Sequence, residues 1–423
     1  MTILAIYIAI FAVAAIVWAI VGAPFARKDP FTALKTVTFG DESAIRSNRF
    51  ASVVSIIAIF LIWAAFTGST LIPKALHAPG PYQGETGFTY EATAPDGTTD
   101  SGTVRALVHP VGAAVEEPSL ADFEESGFAK NFAATIPAYR AETIIAGKLL
   151  EDRKAQKITS INGQPIAPNG AVDIENGQVR MNAKGSLTFE PHQGLQMPDQ
   201  FLPAPEKVAK RFVSLMIDGY QNITLLEHLG LSLFRVFVGF LLGCLVGIPL
   251  GYAMGLNGWF RGWFDPIVEF MRPVPPLALI PLIIIWLGID EPAKISLLFL
   301  AALWIMAISA RSGVSGVRIS KVHAAYSLGA SKWQILKNVI VPNSLPDIFT
   351  GARVAMGVCW GTVVAAELVA AQKGAGKMIM EASKFSLTDI VLTGIIVIGI
   401  VGFGIDVLMR IAERKLIPWK GKG

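Results

Sequence analysis

Uncharged runs long enough to cross a lipid bilayer constrain this chain more than any other feature. Residues 1–26, 50–73 and 236–260 contain no Asp, Glu, Lys or Arg. A helix needs about 20 apolar residues to cross a hydrocarbon core about 30 Å thick. Residues 273–289, 295–310 and 390–405 are also uncharged, and 351–372 is interrupted only by Arg353 and Glu367. The composition agrees: 16% of the 423 residues are charged, against about 25% in ordinary soluble domains. A chain so poor in polar surface cannot cover a water-exposed globule. We therefore expect an all-α polytopic membrane protein with about seven transmembrane helices, and exclude a soluble enzyme, a coiled coil and a disordered chain. The formal charge of +4 argues against a nucleic-acid partner. Cys244 and Cys359 lie in apolar runs with no CxxC or Cys/His cluster, so no metal site is expected.

Charge divides the chain into three. Residues 1–72 are expected to form two helices around a cytoplasmic loop at 24–49. Arg27, Lys28, Lys35, Arg46 and Arg49 outnumber Asp29, Asp41 and Glu42 there, as the positive-inside rule requires. The first run reads as a retained helix rather than a cleaved signal peptide, because its positive charge follows the apolar run instead of preceding it. Residues 73–205 hold 10 basic and 16 acidic side chains, whereas the remainder of the chain holds 26 and 16. That reversal marks a soluble extracytoplasmic insert. Asn162-Gly163, Asn169-Gly170, Asn176-Gly177 and Pro95-Asp96-Gly97 are turn signals. With a helical reading near 136–157, they predict a small, hairpin-rich α+β domain. The segment 158–166 also resembles a PDZ-type strand and turn.

Residues 206–423 are expected to be the working part, with five spans. The first of these joins Leu229–Phe234 to 236–260. From Arg311 to Lys337 there are five basic residues and no acid, which places the loop 313–346 and the carboxyl-terminal tail on the cytoplasmic side. Within that loop, the sequence around Ala324, Ala325, Gly329 and Ala330 predicts two short helices with a glycine bend. Small side chains suit close contact with a protein groove better than burial in lipid, where an interfacial helix presents bulky apolar residues.

The order Ala324-Ala325, three residues, Gly329, then an apolar stretch ending at Pro342 resembles the EAA loop of ABC importer permeases. Arg272-Pro273-Val274-Pro275-Pro276, Trp286-Leu287-Gly288-Ile289, Ala365-Ala366-Glu367-Leu368 and Pro418-Trp419 resemble the nitrate, sulfonate and taurine branch, and its taurine-transporting members most closely. The likeness covers roughly residues 201–420, with the span at 50–72 matching by position. It implies an importer permease fold carrying an added amino-terminal helix and an inserted periplasmic domain. It implies two permease copies in the bacterial inner membrane, two cytoplasmic ATPases that hold ATP and Mg, and a periplasmic solute-binding protein. It also implies that this chain binds no cofactor and catalyses nothing. The ATPase-coupling residues would be His323, Ala324, Ala325, Ser327, Leu328, Gly329, Ala330, Ser331, Lys332 and Pro342. His323 departs from the pattern, since the family usually has Glu there.

Candidates for the translocation pathway are Arg272, Pro275, Trp360, Thr362 and Glu367. Arg272 either meets an anionic sulfonate or snorkels to the inner headgroups. Glu367 either lines the outer vestibule or bonds between helices. Arg353 lies fourteen residues before it in the sequence, about 21 Å along a helix and too far to pair with it. Two other functions fit parts of the chain. A membrane-anchored sensor or protein-binding module would use the insert but leaves five spans unexplained. An intramembrane enzyme has no HExxH, no GxSxG and no paired carboxylates to work with.

Overall fold

The computed structural model describes residues 49–419, apart from 114 and 121–126, together with the isolated Ala12 and Ile16. The first expected span, apart from Ala12 and Ile16, and the loop at 24–49, apart from Arg49, lie outside the described residues. The chain separates into two compact units, 1–206 and 207–423.

In the first unit, α1 (Arg49–Phe66) has 18 residues, about 27 Å of helix at 1.5 Å per residue. The chain then enters a sheet-rich domain and returns to the same place. The Met197 amide donates to Phe66 O at 2.8 Å, and the Trp63 indole donates to Pro203 O at 3.0 Å. Among the described residues, nine strands form two sheets. β1 (Gly84–Thr93), β2 (Thr99–His109), β3 (Phe132–Pro137), β5 (Lys157–Ile161) and β6 (Gln164–Pro165) make one, in the order β3-β2-β1-β5-β6. β4 (Glu142–Ile144), β7 (Ala171–Ile174), β8 (Gly177–Met181) and β9 (Leu187–Pro191) make the other, in the order β4-β9-β8-β7. Strict alternation along β2 points Val104, Ala106 and Val108 inward, the period-2 signature of a half-buried strand. They share one core with Tyr90, Ile161, Val179 and Leu187, and the Phe88 and Phe189 rings meet at 5.9 Å. The buried Tyr90 hydroxyl donates to the carbonyls of Lys130 and Leu149. The buried phenol is therefore satisfied rather than orphaned.

The hairpin at 95–97 forms as expected, with Gly97 at φ +86°, and Asn162-Gly163 turns with both residues at positive φ. Two expectations fail. The stretch near 136–157 is not a helix. Pro137 ends β3, Tyr139 takes φ +68°, β4 follows, and only α2 (Ala146–Leu149) coils, for one turn. At Asn176-Gly177 the turn residues are instead Glu175 and Asn176. Gly177 already pairs with Ile174, packed so tightly against Glu190 O and the Phe189 ring that a Cβ has no room. The insert is thus sheet-rich, with little of the expected α component.

In the second unit, α3 (Pro205–Ile217), most of which lies here, precedes α4 (Leu225–Leu256), α5 (Gly258–Met271), α6 (Ile280–Leu287) and α7 (Glu291–Ser315). After these come α8 (Ile319–Ser327), α9 (Lys332–Ile335), α10 (Val341–Ala370), α11 (Ala375–Lys384) and α12 (Thr388–Leu416). Among the described residues, four helical stretches are long and apolar enough to cross a membrane: 225–256, 291–315, 332–369 and 388–416. The α5–α6 pair adds a fifth if it counts as one span broken by a 94° bend. α4 and α7 pack through a small-residue stripe. Gly239, Gly243, Gly247 and Gly251 lie directly against Leu298, Ala302, Leu303 and Ala307, with no room for a Cβ. Where lipid removes the hydrophobic drive between helices, such close backbone approach supplies the packing energy.

Candidate functional site

α8 has no buried residue. It ends in a Schellman arrangement: Ala330 N–H donates to Ala325 O at 3.1 Å, and Gly329 N–H to Tyr326 O at 2.9 Å. The arrangement needs a left-handed residue, which Gly329 supplies at φ +79° without strain. Ser331 then opens α9 with a capping box, its hydroxyl accepting from Gln334 N–H while Gln334 Oε1 accepts from Ser331 N–H. The result is a fixed elbow rather than a floppy loop. It carries Leu328, 88% exposed, at its tip and exposed Tyr326 and Trp333 on its flanks. Lys321 ties α8 to Asn343 at 2.7 Å.

Between α9 and α10 the helix widens into a π-turn over Leu336–Ile340. Pro342 explains the widening, since it lacks an N–H and its ring would crowd the carbonyl four residues back. Its own carbonyl accepts the Trp419 indole N–H at 3.2 Å, fastening the carboxyl-terminal tail to this joint. Of the residues expected to couple, 323–332 come together on the elbow, and Pro342 lies at its far anchor.

The proline run after Arg272 breaks the backbone as its missing N–H groups dictate. α5 ends there, Pro275 is extended, and a short 3₁₀ turn leads into α6. Behind this break lies a cavity of about 470 Å³ between the elbow of α5–α6, α7 and α10. Arg272 lines it with Val274 and Pro276, opposite Ser309, Ser312 and Thr350. Trp304 also lines it, and its indole N–H has no partner among the described residues. Pro275 sits between two lining residues.

The other three pathway candidates lie elsewhere. Trp360 and Thr362 are buried, and the Trp360 indole donates to Ile398 O at 3.2 Å. Glu367 is 0% exposed. Its Oε1 accepts from Ser232 Oγ at 2.7 Å and Arg235 Nη1 at 2.6 Å, and its Oε2 accepts from Gly376 N–H at 3.0 Å. In this conformation these three present almost no surface to an aqueous route, and Glu367 takes the interhelical of its two expected roles.

Arg235, itself 1% exposed, is the hub that sequence reasoning passed over by joining Leu229–Phe234 to 236–260. It also holds Glu291 through two nitrogens, each at 2.6 Å, and donates to Lys373 O at 2.8 Å. Lys294 reaches the same Glu291 at 3.0 Å. One network therefore joins α4, α7, α10 and the turn before α11. A signal was available, because a charge inside an apolar run needs an opposite charge in another. Arg353 obeys the same rule, pairing with Asp406 of α12 at 2.6 Å rather than with Glu367.

Residues 243–418 match the family described as the binding-protein-dependent transport system inner membrane component. The taurine transport system permease protein TauC of Escherichia coli is 46% identical over 223 residues, covering 52% of this chain and 81% of that protein. The aliphatic sulfonates transport permease protein SsuC of the same organism is 40% identical over 220 residues, covering 52% and 82%. The nitrate import permease protein NrtB of Synechocystis is 32% identical over 226 residues, with the same two coverages.

Proposed function

This chain belongs to the binding-protein-dependent transport system inner membrane components, the non-catalytic permease subunits of ABC importers, and we propose that it carries taurine or a related small sulfonate. In this reading two copies form the pathway. Two cytoplasmic ATPases, holding ATP and Mg, dock on the elbows, and a periplasmic solute-binding protein delivers the substrate. The observation that carries it is the rigid, solvent-facing elbow at 319–335, whose alanines and glycine leave room for a partner's groove. A membrane-anchored sensor would have no use for such an elbow.

ATP binding closes the ATPase pair and moves both elbows. Each elbow leads into α10 through the π-turn, so its displacement reaches the wall of the cavity behind Arg272. Access switches by a rigid-body movement between two states. In the same proposal Arg272 is the cation that an anionic sulfonate meets there, and Pro275 keeps the backbone open beside it. Residues 73–205 face the periplasm, where they dock the solute-binding protein or gate entry, and the carboxyl terminus is cytoplasmic.

The test is co-purification with uptake. Ala324→Arg or Ala325→Arg places a long charged side chain on the contact face. The ATPase should be lost from the complex and taurine uptake should fall at least tenfold, while the permease still reaches the membrane. If both variants retain the ATPase and transport normally, the coupling assignment is wrong. Removing residues 80–200 should alter uptake kinetics, and unchanged kinetics would discard the docking or gating role.

A further inference from the structure

We propose that Asp347 is the cation-binding residue of the cavity behind Arg272, and that the two together select a zwitterionic aminoalkyl sulfonate over a plain alkyl sulfonate. The sulfonate half of this rests on the proposed reading of that cavity as the substrate's path.

Asp347 lies near the start of α10 and lines the same cavity of about 470 Å³ as Arg272. It is exposed, and its carboxylate has no hydrogen bond or ion pair among the described residues. The cations of the neighbouring elements do not neutralise it. Arg311 of α7 is held by Asp265 and by Glu269, the latter at 3.0 Å. Lys321 of α8 is tied to Asn343 at 2.7 Å, and Arg318, which precedes α8, makes no ion pair with Asp347.

The position of the carboxylate adds a second, independent reason to expect a cation. Asp347 Oδ2 and the carbonyl oxygens of Ser312 and Gly313 all lie 3.3 to 3.8 Å from the point where a Cβ on Gly316 would stand. Asp347 is therefore set against the carboxyl-terminal turn of α7, which ends at Ser315. A helix end of that polarity carries roughly half a negative charge and favours a cation, not a carboxylate. Two negative features meet there with no positive group of the chain between them.

Arg272 supplies the other charge. Its ion pair with Glu269 is long, at 4.0 Å, and exposed, and Glu269 is shared with Arg311. The guanidinium fork is left with donors for sulfonate oxygens. Arg272 and Asp347 line one cavity without pairing with each other, so a short molecule bearing both charges can bridge them. Ile305, Val354 and Val358 line the same cavity and suit a methylene spacer. A plain alkyl sulfonate would satisfy Arg272 but leave Asp347 facing the ligand without a counter-charge, and an unpaired charge of that kind is what discriminates between related ligands.

The test is binding to the full-length permease in nanodiscs, without a solute-binding protein, titrated with 2-aminoethanesulfonate and separately with ethanesulfonate. Wild type should hold the aminosulfonate at least tenfold tighter. Asp347→Asn keeps the shape and removes the charge, so the preference should disappear, and Asp347→Glu should restore part of it. Arg272→Gln should weaken both probes at least tenfold. Because the Asp347 carboxylate bonds to nothing in the chain, Asp347→Asn should keep the wild-type melting temperature and the bound ATPase. Equal binding of the two probes by wild type, binding of neither, or a preference that survives Asp347→Asn overturns the site. Loss of the ATPase with the preference intact also overturns it, and assigns the carboxylate to the ATPase contact. If Asp347→Asn changes nothing while Arg272→Gln still weakens both probes, only Asp347 is struck and the importer reading stands.

Discussion

The two units handle charge in opposite ways. In the sheet-rich unit, charged side chains stand on the surface, as in the Arg180–Glu190 pair at 3.9 Å, and the core is apolar apart from satisfied hydroxyls. In the helical unit, Arg235 and Glu367 lie wholly inside, joined to Glu291 and Lys294 across three helices. Water screens the first kind of pair and leaves it worth about 0–1 kcal/mol. The second has no water to fall back on, so losing either partner strands a buried charge at a cost of about 3–5 kcal/mol. A membrane protein keeps such a network because it joins helices that lipid alone would not order, and because a network has discrete arrangements.

The sharpest way to break this contrast is Arg235→Ala. It should unfold or strip from the membrane a large share of the protein, seen as lost yield and a melting temperature well below wild type. Arg180→Ala should leave both unchanged within error. Equal effects would mean that the buried network is not a structural hub. Next in size is Gly243→Leu, which pushes a side chain into Ala302 across the α4–α7 contact. Overpacking of this kind costs about 1–3 kcal/mol and should lower thermal stability without touching the insert's near-ultraviolet signal.

The smallest effect concerns Glu206, where the insert's chain returns. Burial pushes its carboxyl up, but hydrogen bonds from Ser69 and from Thr70 outweigh that and hold it below its usual 4.5. A lowered carboxyl stabilises the folded state above its unfolded value, and the benefit disappears as pH falls through the folded one. Glu206→Gln should therefore melt slightly lower than wild type at pH 6, with the difference closing below pH about 4. A difference that widens in acid would contradict the assigned bonds.

Legibility in the sequence followed the same divide. The helical unit could be read from hydropathy because uncharged runs have few other uses, and the elbow at 319–335 could be read because Gly329 and Ser331 are local stop and start signals. The Arg235 hub could not be read in the same way, since its partners lie 56 and 132 residues away and only folding brings them together. In the insert, Asn162-Gly163 declared its turn, but the stretch near 136–157 was read as helix. There the strained turn at Tyr139 and the pairing of β4 with β9 override local preference.

The most direct test of the central claim is side-specific labelling of the elbow. In a background with Cys244 and Cys359 replaced by Ala, Leu328→Cys is probed with a membrane-impermeant maleimide on oriented vesicles. The account predicts labelling only when the cytoplasmic face is outward, and protection of the thiol once the ATPase is added back. Labelling from the opposite face, or labelling that is indifferent to the ATPase, would contradict it.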